Sequence, residues 1–173
     1  MTPPARANYT LRQLLRQISK VNTEDMVAVR RRLTRALWGF HRWLYRATGG
    51  RVGGRIVGMP VLLLTTIGRR TGRSHTTSLT YSPHGASFAV IGSNGGASNH
   101  PDWVLNLRAN PRAAIQIRGT RTAVQAREAA GAERSELWDR AVQAHSGYAT
   151  YQSRTSRMIP VVILELKSSK DQV

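Results

Sequence analysis

The feature that most limits the fold of this chain is a change of rhythm at residue 61. From there on, apolar runs of strand length alternate with short clusters of Gly, Pro, Asn and Ser, so no extended element can run far before the chain turns. "VLLLTTI" (61–67), "HTTSLTY" (75–81) and "SFAVIG" (87–92) are separated by "GRRTG" and "SPHG", which predicts a meander of three antiparallel strands. A further hairpin, "AAIQIR" and "TAVQARE", flanks a turn at Gly119-Thr120, and Ile115, Ile117 and Val124 alternate along it. "IPVVILEL" (159–166) reads as a last strand. Between these runs stand a short helix, "PDWVLNLR", with Pro101 suited to its first turn, and a longer one over 133–144. Short antiparallel strands with helices inserted between them predict an α+β chain built on a small barrel or rolled sheet. A doubly wound parallel fold is not expected.

The segment before this region is different in kind. Leu11, Leu14, Leu15 and Ile18 recur at helical spacing behind Thr10, and Met26, Val29, Leu33, Leu37, Phe40 and Leu44 do so again between Asn22 or Thr23 and Gly49-Gly50. The second of these amphipathic helices carries Arg30, Arg31, Arg32, Arg35, Arg42 and Arg46 with no acid between them. Of the net charge of +17, most lies in the first 75 residues, where Glu24 and Asp25 are the only acids. The reading is a basic N-terminal helical segment, 1–55, and a barrel domain, 56–173. Two accounts of the basic helix stand: it lies on an anionic membrane surface, or it packs on the core and shows arginine to water.

Cysteine is absent, which excludes disulfides, iron–sulfur clusters and thiolate zinc sites. The histidines, at 41, 75, 84, 100 and 145, share no metal-ligand spacing, so no metal is expected. No apolar run approaches the roughly 20 residues of a membrane span, and the N-terminus lacks the pattern of a signal peptide. A cytoplasmic protein is expected, either free or peripheral on the inner face of the membrane. "GRRTGRS" is one residue short of a Walker A loop, has Arg73 in place of its Lys, and leads into a strand. "IGSNGG" lacks the first glycine of a nucleophile elbow, so Ser93 is not read as a hydrolase nucleophile.

Two glycine-containing polar loops remain. In Gly68–Thr77 the glycines allow close backbone approach, Arg69, Arg70 and Arg73 present forked donors for phosphate or carboxylate, and Thr71, Ser74, Thr76 and Thr77 add hydroxyls. In "SNGGASNHPDW" (93–103), Asn94-Gly95-Gly96 favours exposed amides, and the helix that follows aims its N-terminus at the same loop. Together they suit one extended, multiply charged ligand. A third cluster spaces His145, Tyr148 and Tyr151 by three, on one face of a helical turn; its polar surroundings predict an incompletely buried, mobile wall of phenol and imidazole donors.

The motifs "TTIGRRTGRSHTTSL", "IGSNGGASNHPDWVLNLRANP" and "YATYQSRTSRMIPVVILEL" occur in the order and with the gaps of the deazaflavin-dependent nitroreductase and quinone-reductase family, which uses reduced coenzyme F-420. The chain closely resembles that family from about Gly58 to Leu166. The resemblance implies a split β-barrel, of the kind related to flavin-binding split barrels, with the deazaflavin in a groove and its phosphate and oligoglutamate tail over basic residues. Carried across, it puts Arg69 and Arg70 at the phosphate and tail, with Thr71, His75 and Thr77 nearby. Ser93 and Asn94, with Gly95 and Gly96, line the ring or the phosphodiester, and Pro101, Trp103 and Asn106 border the groove. Tyr148 and Tyr151 stand beside the deazaflavin and the acceptor.

The implied activity is hydride transfer from the reduced deazaflavin to a planar, electron-poor acceptor such as a quinone, a nitroaromatic or an enone. Tyr148, Tyr151, Ser93 or His145 would then stabilise and protonate the acceptor. This sequence departs from the family pattern at Asn94, where a Lys is familiar, at His75 and Thr77, where Arg and Asn are, and at Thr80 and His145, which replace tyrosines. The last two bear on nitroimidazole acceptors and leave hydride transfer itself as the expectation. The rival readings are a barrel that binds FMN, haem or a fatty acyl chain, and a basic nucleic-acid binder. Aromatic residues make up only 6% of the chain and no stacking platform is evident, so no nucleic-acid partner is expected.

Overall fold

The computed structural model of the chain describes residues 55–56 and 58–166, with side chains from Gly58 onward. The expected N-terminal helices and the surface that would meet a membrane lie outside the described residues, which begin at the expected domain boundary, 55/56.

The described chain forms strands β1 (Arg55–Ile56), β2 (Met59–Ile67), β3 (Ser74–His84), β4 (Ser87–Ile91), β5 (Arg112–Ile117), β6 (Thr120–Glu128) and β7 (Val161–Leu166). Three helices interrupt them: α1 (Asp102–Ala109), α2 (Gly131–Ala144) and α3 (Gly147–Ser153). Neighbouring strands run in the order β1-β2-β3-β4-β7-β6-β5, all antiparallel, and β5 pairs in turn with β2. That last pairing, Leu64 against Ile115, closes β2 to β7 into a six-stranded barrel, the mostly antiparallel architecture expected from the turn-punctuated pattern.

Strand periodicity sorts the apolar runs into an inside and an outside. Leu62 and Leu64 point into the barrel with Val90, Ile115, Val124, Val162 and Leu164, while Val61 and Leu63, the intervening residues of β2, form a separate buried pair. Val161 and Ile163 of β7 likewise face outward, onto Ala89, Ala129 and Leu137, so α2 covers that wall. Both faces of β2 and β7 are thus buried, which is why these strands read as continuous apolar runs. At α1, Trp103, Val104 and Leu107 insert into the inner cluster. Truncating a side chain as enclosed as Leu64, with no exposed surface, costs about 2–5 kcal/mol. Ion pairs hold α2 to the barrel wall: Arg127 of β6 reaches Glu165 of β7 at 2.6 Å and Glu133 of α2 at 2.6 and 2.8 Å. His84 at the end of β3 meets the same Glu133 at 3.3 Å.

Several boundaries differ from expectation. β3 continues through Pro83 to His84, and the turn narrows to Gly85, at φ +57°, and Ala86, because Pro83 sits at the strand's end opposite Phe88. The β5–β6 turn is made by Arg118, at φ +54°, and Gly119; Thr120 already pairs with Ile117. The last strand starts at Val161, since the Ile159 amide donates to the Gln152 side chain at 3.0 Å instead of joining a ladder. α2 begins two residues before 133, at Gly131, whose φ of +53° turns the chain into the helix.

Candidate active site

The turn between β2 and β3 is closed by the Gly68 amide donating to the Arg73 carbonyl at 2.8 Å and the Gly72 amide donating to the Gly68 carbonyl at 2.8 Å. Gly68 has no room for a side chain: a Cβ there would come 2.7 Å from His75 Nε2 and 2.8 Å from Thr71 Oγ1. The turn is pinned from the side by α1. Asn106, 4% exposed, accepts at Oδ1 from the Arg69 amide (3.1 Å) and guanidinium (3.3 Å), and donates from Nδ2 to Thr66 Oγ1 (3.2 Å). The Arg69 guanidinium also reaches Asp102 at 3.0 Å in the first turn of α1. Arg69 is one of the forked donors expected at the phosphate and tail. Its guanidinium also ties the turn to the helix and is partly neutralised by Asp102.

Between turn and helix lies an open cleft of about 600 Å³. Arg69, Arg70, Thr71, His75, Thr77, Trp103 and Asn106, all carried over from the resemblance, line it, joined by Thr66, Ser74, Thr76 and Asp102. Among the described residues neither Arg70, which lines the cleft, nor Arg73 has an acidic partner, so neither charge is neutralised by an ion pair. A cleft of guanidinium and hydroxyl groups suits a phosphate or carboxylate ligand.

Ser93, Asn94, Gly95, Gly96, Pro101 and Tyr148 do not line this cleft. Ser93 and Asn94–Gly96 form the single 3-10 turn that leads from β4 toward α1, and Asn94, Gly95 and Gly96 all take positive φ, at 50°, 63° and 82°. Pro101 is the extended N-cap residue just before α1. The turn packs on α3: a Cβ on Gly96 would lie 2.7 Å from the Tyr151 carbonyl oxygen.

Tyr148 and Tyr151 stand on α3 with His145 just before it, and the three rings are in mutual contact, His145–Tyr148 at 5.4 Å, Tyr148–Tyr151 at 6.2 Å and His145–Tyr151 at 6.4 Å between centroids. The polar sequence around Tyr148 predicts exposure, yet its side chain is enclosed, with 7% of its surface accessible, because Trp138 of α2 closes over it at 6.4 Å. Its phenol oxygen lies 2.9 Å from Thr80 Oγ1. Burial pushes the Tyr148 phenol above its ordinary pKa, against a smaller downward pull from the Thr80 hydrogen bond and a small upward one from Tyr151. Thr80 and Tyr148 line a second, largely apolar pocket of about 410 Å³ with Pro60, Tyr81, Ile91 and Ala141. A path links the two pockets: Arg69 to Asp102, the chain from α1 back through 97–101 to the 93–96 turn, Gly96 to Tyr151, Tyr151 to Tyr148, and Tyr148 to Thr80.

Asp102 as the partner of Arg69, and Arg157 beneath the 93–96 turn, were not singled out from the sequence. No spacing announces either one, since each meets its partner across tens of residues. Among the described residues no group of three His, Asp or Glu is arranged to hold a metal, and no described helix is long and apolar enough to cross a membrane.

A family model described as F420H2-dependent quinone reductase, the reduced form of coenzyme F-420 being written F420H2, matches residues 38–166. The chain is 41% identical over 128 residues to the F420H2-dependent quinone reductase Rv1261c of Mycobacterium tuberculosis, covering 72% of this chain and 86% of that one. Among solved structures it is similar to one titled as an F420-H2 dependent reductase (FDR-A), with 37% identity, a TM-score of 0.57, and coverage of 61% of this chain and 94% of that one. Another, titled a domain-swapped dimer, shares 32% identity at a TM-score of 0.58 over 82% of this chain and 99% of the other.

Proposed function

The chain belongs to the F420H2-dependent quinone reductase family, and from that premise we propose how its residues divide the work of reducing a quinone. It is a reductase that uses coenzyme F-420. The observation that carries the division is the pair of unlike pockets: one of guanidinium and hydroxyl groups about 600 Å³ in size, one largely apolar and about 410 Å³, joined by a path through the 93–96 turn and α3. The first fits the phosphodiester and glutamate tail of the coenzyme, held by Arg70 with the hydroxyls of Thr71, Ser74 and Thr77. Arg69 is kept in place by Asp102 and Asn106. Ser93 and Asn94 border the ring end, and the second pocket receives the acceptor beside Thr80 and Tyr148.

When bound and reduced, the deazaflavin supplies the hydride. The residues supply the rest. Tyr148, kept neutral by burial, donates its one hydroxyl proton in a hydrogen bond to the acceptor oxygen as negative charge grows there, while the Thr80 hydroxyl donates to the phenol oxygen and holds it in place. His145 and Tyr151, in contact with Tyr148, relay a proton from solvent, so that hydride and proton together give the hydroquinone. The apolar wall of Pro60, Ile91 and Ala141 suits a flat ring and keeps water from it. Nitroaromatics and enones are secondary acceptors in this account. Residence at an anionic membrane surface through the basic N-terminal segment is a separate part of the proposal, motivated by its charge alone.

The test is to follow oxidation of stoichiometric reduced coenzyme by a panel of quinones, nitroaromatics and enones. Rapid oxidation by quinones and slower oxidation by the others is the expected order. No oxidation by any quinone would overturn the assignment, and visible absorbance of purified protein with bound FMN or haem would replace it with the rival reading.

A further inference from the structure

Three carbonyls of the segment that joins β4 to α1 turn toward one side chain. Arg157, in the link between α3 and β7, donates from Nε to the Ala97 carbonyl at 2.9 Å, from Nη2 to the Ser93 carbonyl at 2.7 Å and from Nη1 to the Gly92 carbonyl at 3.3 Å. The same Nη1 lies 3.2 Å from Nδ1 of His100, the residue before Pro101. One planar fork therefore ties the start, the middle and the end of the segment that carries Ser93–Gly96. Gln152 of α3 holds the fork's own backbone: its Nε2 donates to the carbonyls of Thr155 (3.3 Å) and Arg157 (2.9 Å), and its Oε1 accepts from the Ile159 amide (3.0 Å).

Besides this fork, the segment is held by the Gly92 amide donating to the Pro160 carbonyl at 2.9 Å and by the packing of Gly96 on α3. Its internal backbone bonds are Gly96 to Ser93 and Ala97 to Asn94, and the only side-chain bond within it is Asn94 Nδ2 to the Asn99 carbonyl. Its bend needs three successive left-handed residues, including the non-glycine Asn94. With the carbonyls of Gly92, Ser93 and Ala97 occupied by Arg157, the amides of Asn94 and Gly95 donate to no carbonyl among the described residues.

We propose that Arg157 is the positioning residue of the coenzyme site: without touching the coenzyme, it holds the Ser93–Gly96 bend in the shape that receives it, and this brace needs a neutral His100. The inference rests on the reading of the site given above. Because a guanidinium has no acceptor, Nδ1 of His100 must accept, which puts the ring proton on Nε2. A protonated ring loses that bond and repels the fork. Burial is the largest influence that disfavours protonation of His100, the charges of Arg108 and Arg157 add to it, and the more weakly felt Glu128 opposes them. The brace is therefore whole at neutral pH and opens on acidification.

Arg157→Met, Arg157→Lys and His100→Asn test this, with coenzyme F-420 affinity read by fluorescence titration, hydride transfer by single turnover at saturating coenzyme, and folding by thermal melting. Arg157→Met is expected to weaken coenzyme binding at least about tenfold while the saturated hydride-transfer rate stays within about threefold. Lysine, a point donor unable to span four acceptors, is expected to restore only part of the affinity. In the wild type, affinity is expected to hold through neutral pH and to fall only below about 6.5, the ordinary histidine value, because the His100 pKa is lowered. His100→Asn, whose amide oxygen supplies an acceptor that does not titrate, is expected to keep the affinity and lose that fall.

If Arg157→Met folds and binds coenzyme as the wild type does, the proposal is wrong. Should Arg157→Met not fold, His100→Asn decides: an unchanged pH dependence overturns the proposal and its loss supports it. A wild type that fails to bind coenzyme at all removes the functional reading and this inference together, whereas wild-type binding that is indifferent to Arg157 and His100 removes the inference alone.

Discussion

The side-chain oxygen of Asn106 accepts two hydrogen bonds from Arg69, from its amide at 3.1 Å and its guanidinium at 3.3 Å. A buried amide on α1 thereby sets where the arginine turn after β2 stands, and its own Nδ2 is satisfied by Thr66 on β2. Asn106→Ala would strand the Arg69 amide and leave the turn to find its place alone. The expected loss is about 1–3 kcal/mol of stability, with weaker coenzyme binding. Urea unfolding and a binding titration check both, and an unchanged midpoint would show that the turn is held by something else.

The enclosed phenol of Tyr148, 2.9 Å from Thr80, leads to a prediction about rate and pH. Tyr148→Phe should slow acceptor reduction by about a hundredfold and leave coenzyme affinity within error, since the ring's packing on His145, Tyr151 and Trp138 is kept. The sign of the pH effect follows from burial. A phenol raised above its ordinary value keeps its proton as pH passes 10, so the donor is present at neutral pH and is lost only above the range where an exposed tyrosine ionises. The kcat profile should therefore show no Tyr148 limb below pH 10. A limb there that vanishes in Tyr148→Phe would contradict the assignment.

Neighbouring glycines of the 93–96 turn should respond differently to alanine. Gly95 takes φ +63° with nothing within 4 Å of an added Cβ, so Gly95→Ala should cost about 1–2 kcal/mol through backbone strain alone. Gly96 takes φ +82° and its Cβ would stand 2.7 Å from the Tyr151 carbonyl, so Gly96→Ala should cost more and should also separate the turn from α3. Paired denaturation curves give the order directly. Equal losses would mean that the seam between turn and helix is loose.

What could be read before the structure, and what could not, follows from the range of the interactions involved. The β2–β3 turn was legible because Gly68, Arg69, Arg70, Gly72 and Arg73 are neighbours in sequence, and turn chemistry is local. Strand existence was legible in β2 and β7 because Leu62, Leu64, Val162 and Leu164 sit in unbroken apolar runs. Which of those residues face inward was hidden by the same fact, since Val61, Leu63, Val161 and Ile163 are buried on the other side. Barrel closure was hidden too, because the pairing of Leu64 with Ile115 joins segments whose patterns say nothing of each other. In the site, the arginines were visible, but the acid that holds Arg69, 33 residues away, and the arginine that braces Ala97, 60 residues away, were not. Tyr148 was seen as a ring on a polar segment, and its enclosure depended on Trp138 of another helix.

The central claim is that the cleft between the arginine turn and α1 holds the charged tail of coenzyme F-420. The most direct measurement is a parallel fluorescence titration of the chain with the intact coenzyme and with the tail-less deazaflavin riboside, at low and at physiological salt, repeated on Arg70→Ala. The intact coenzyme should bind at least about tenfold more tightly, and that advantage should shrink with added salt and with loss of Arg70. Equal affinity for the two compounds, or an advantage indifferent to both salt and Arg70, would contradict it.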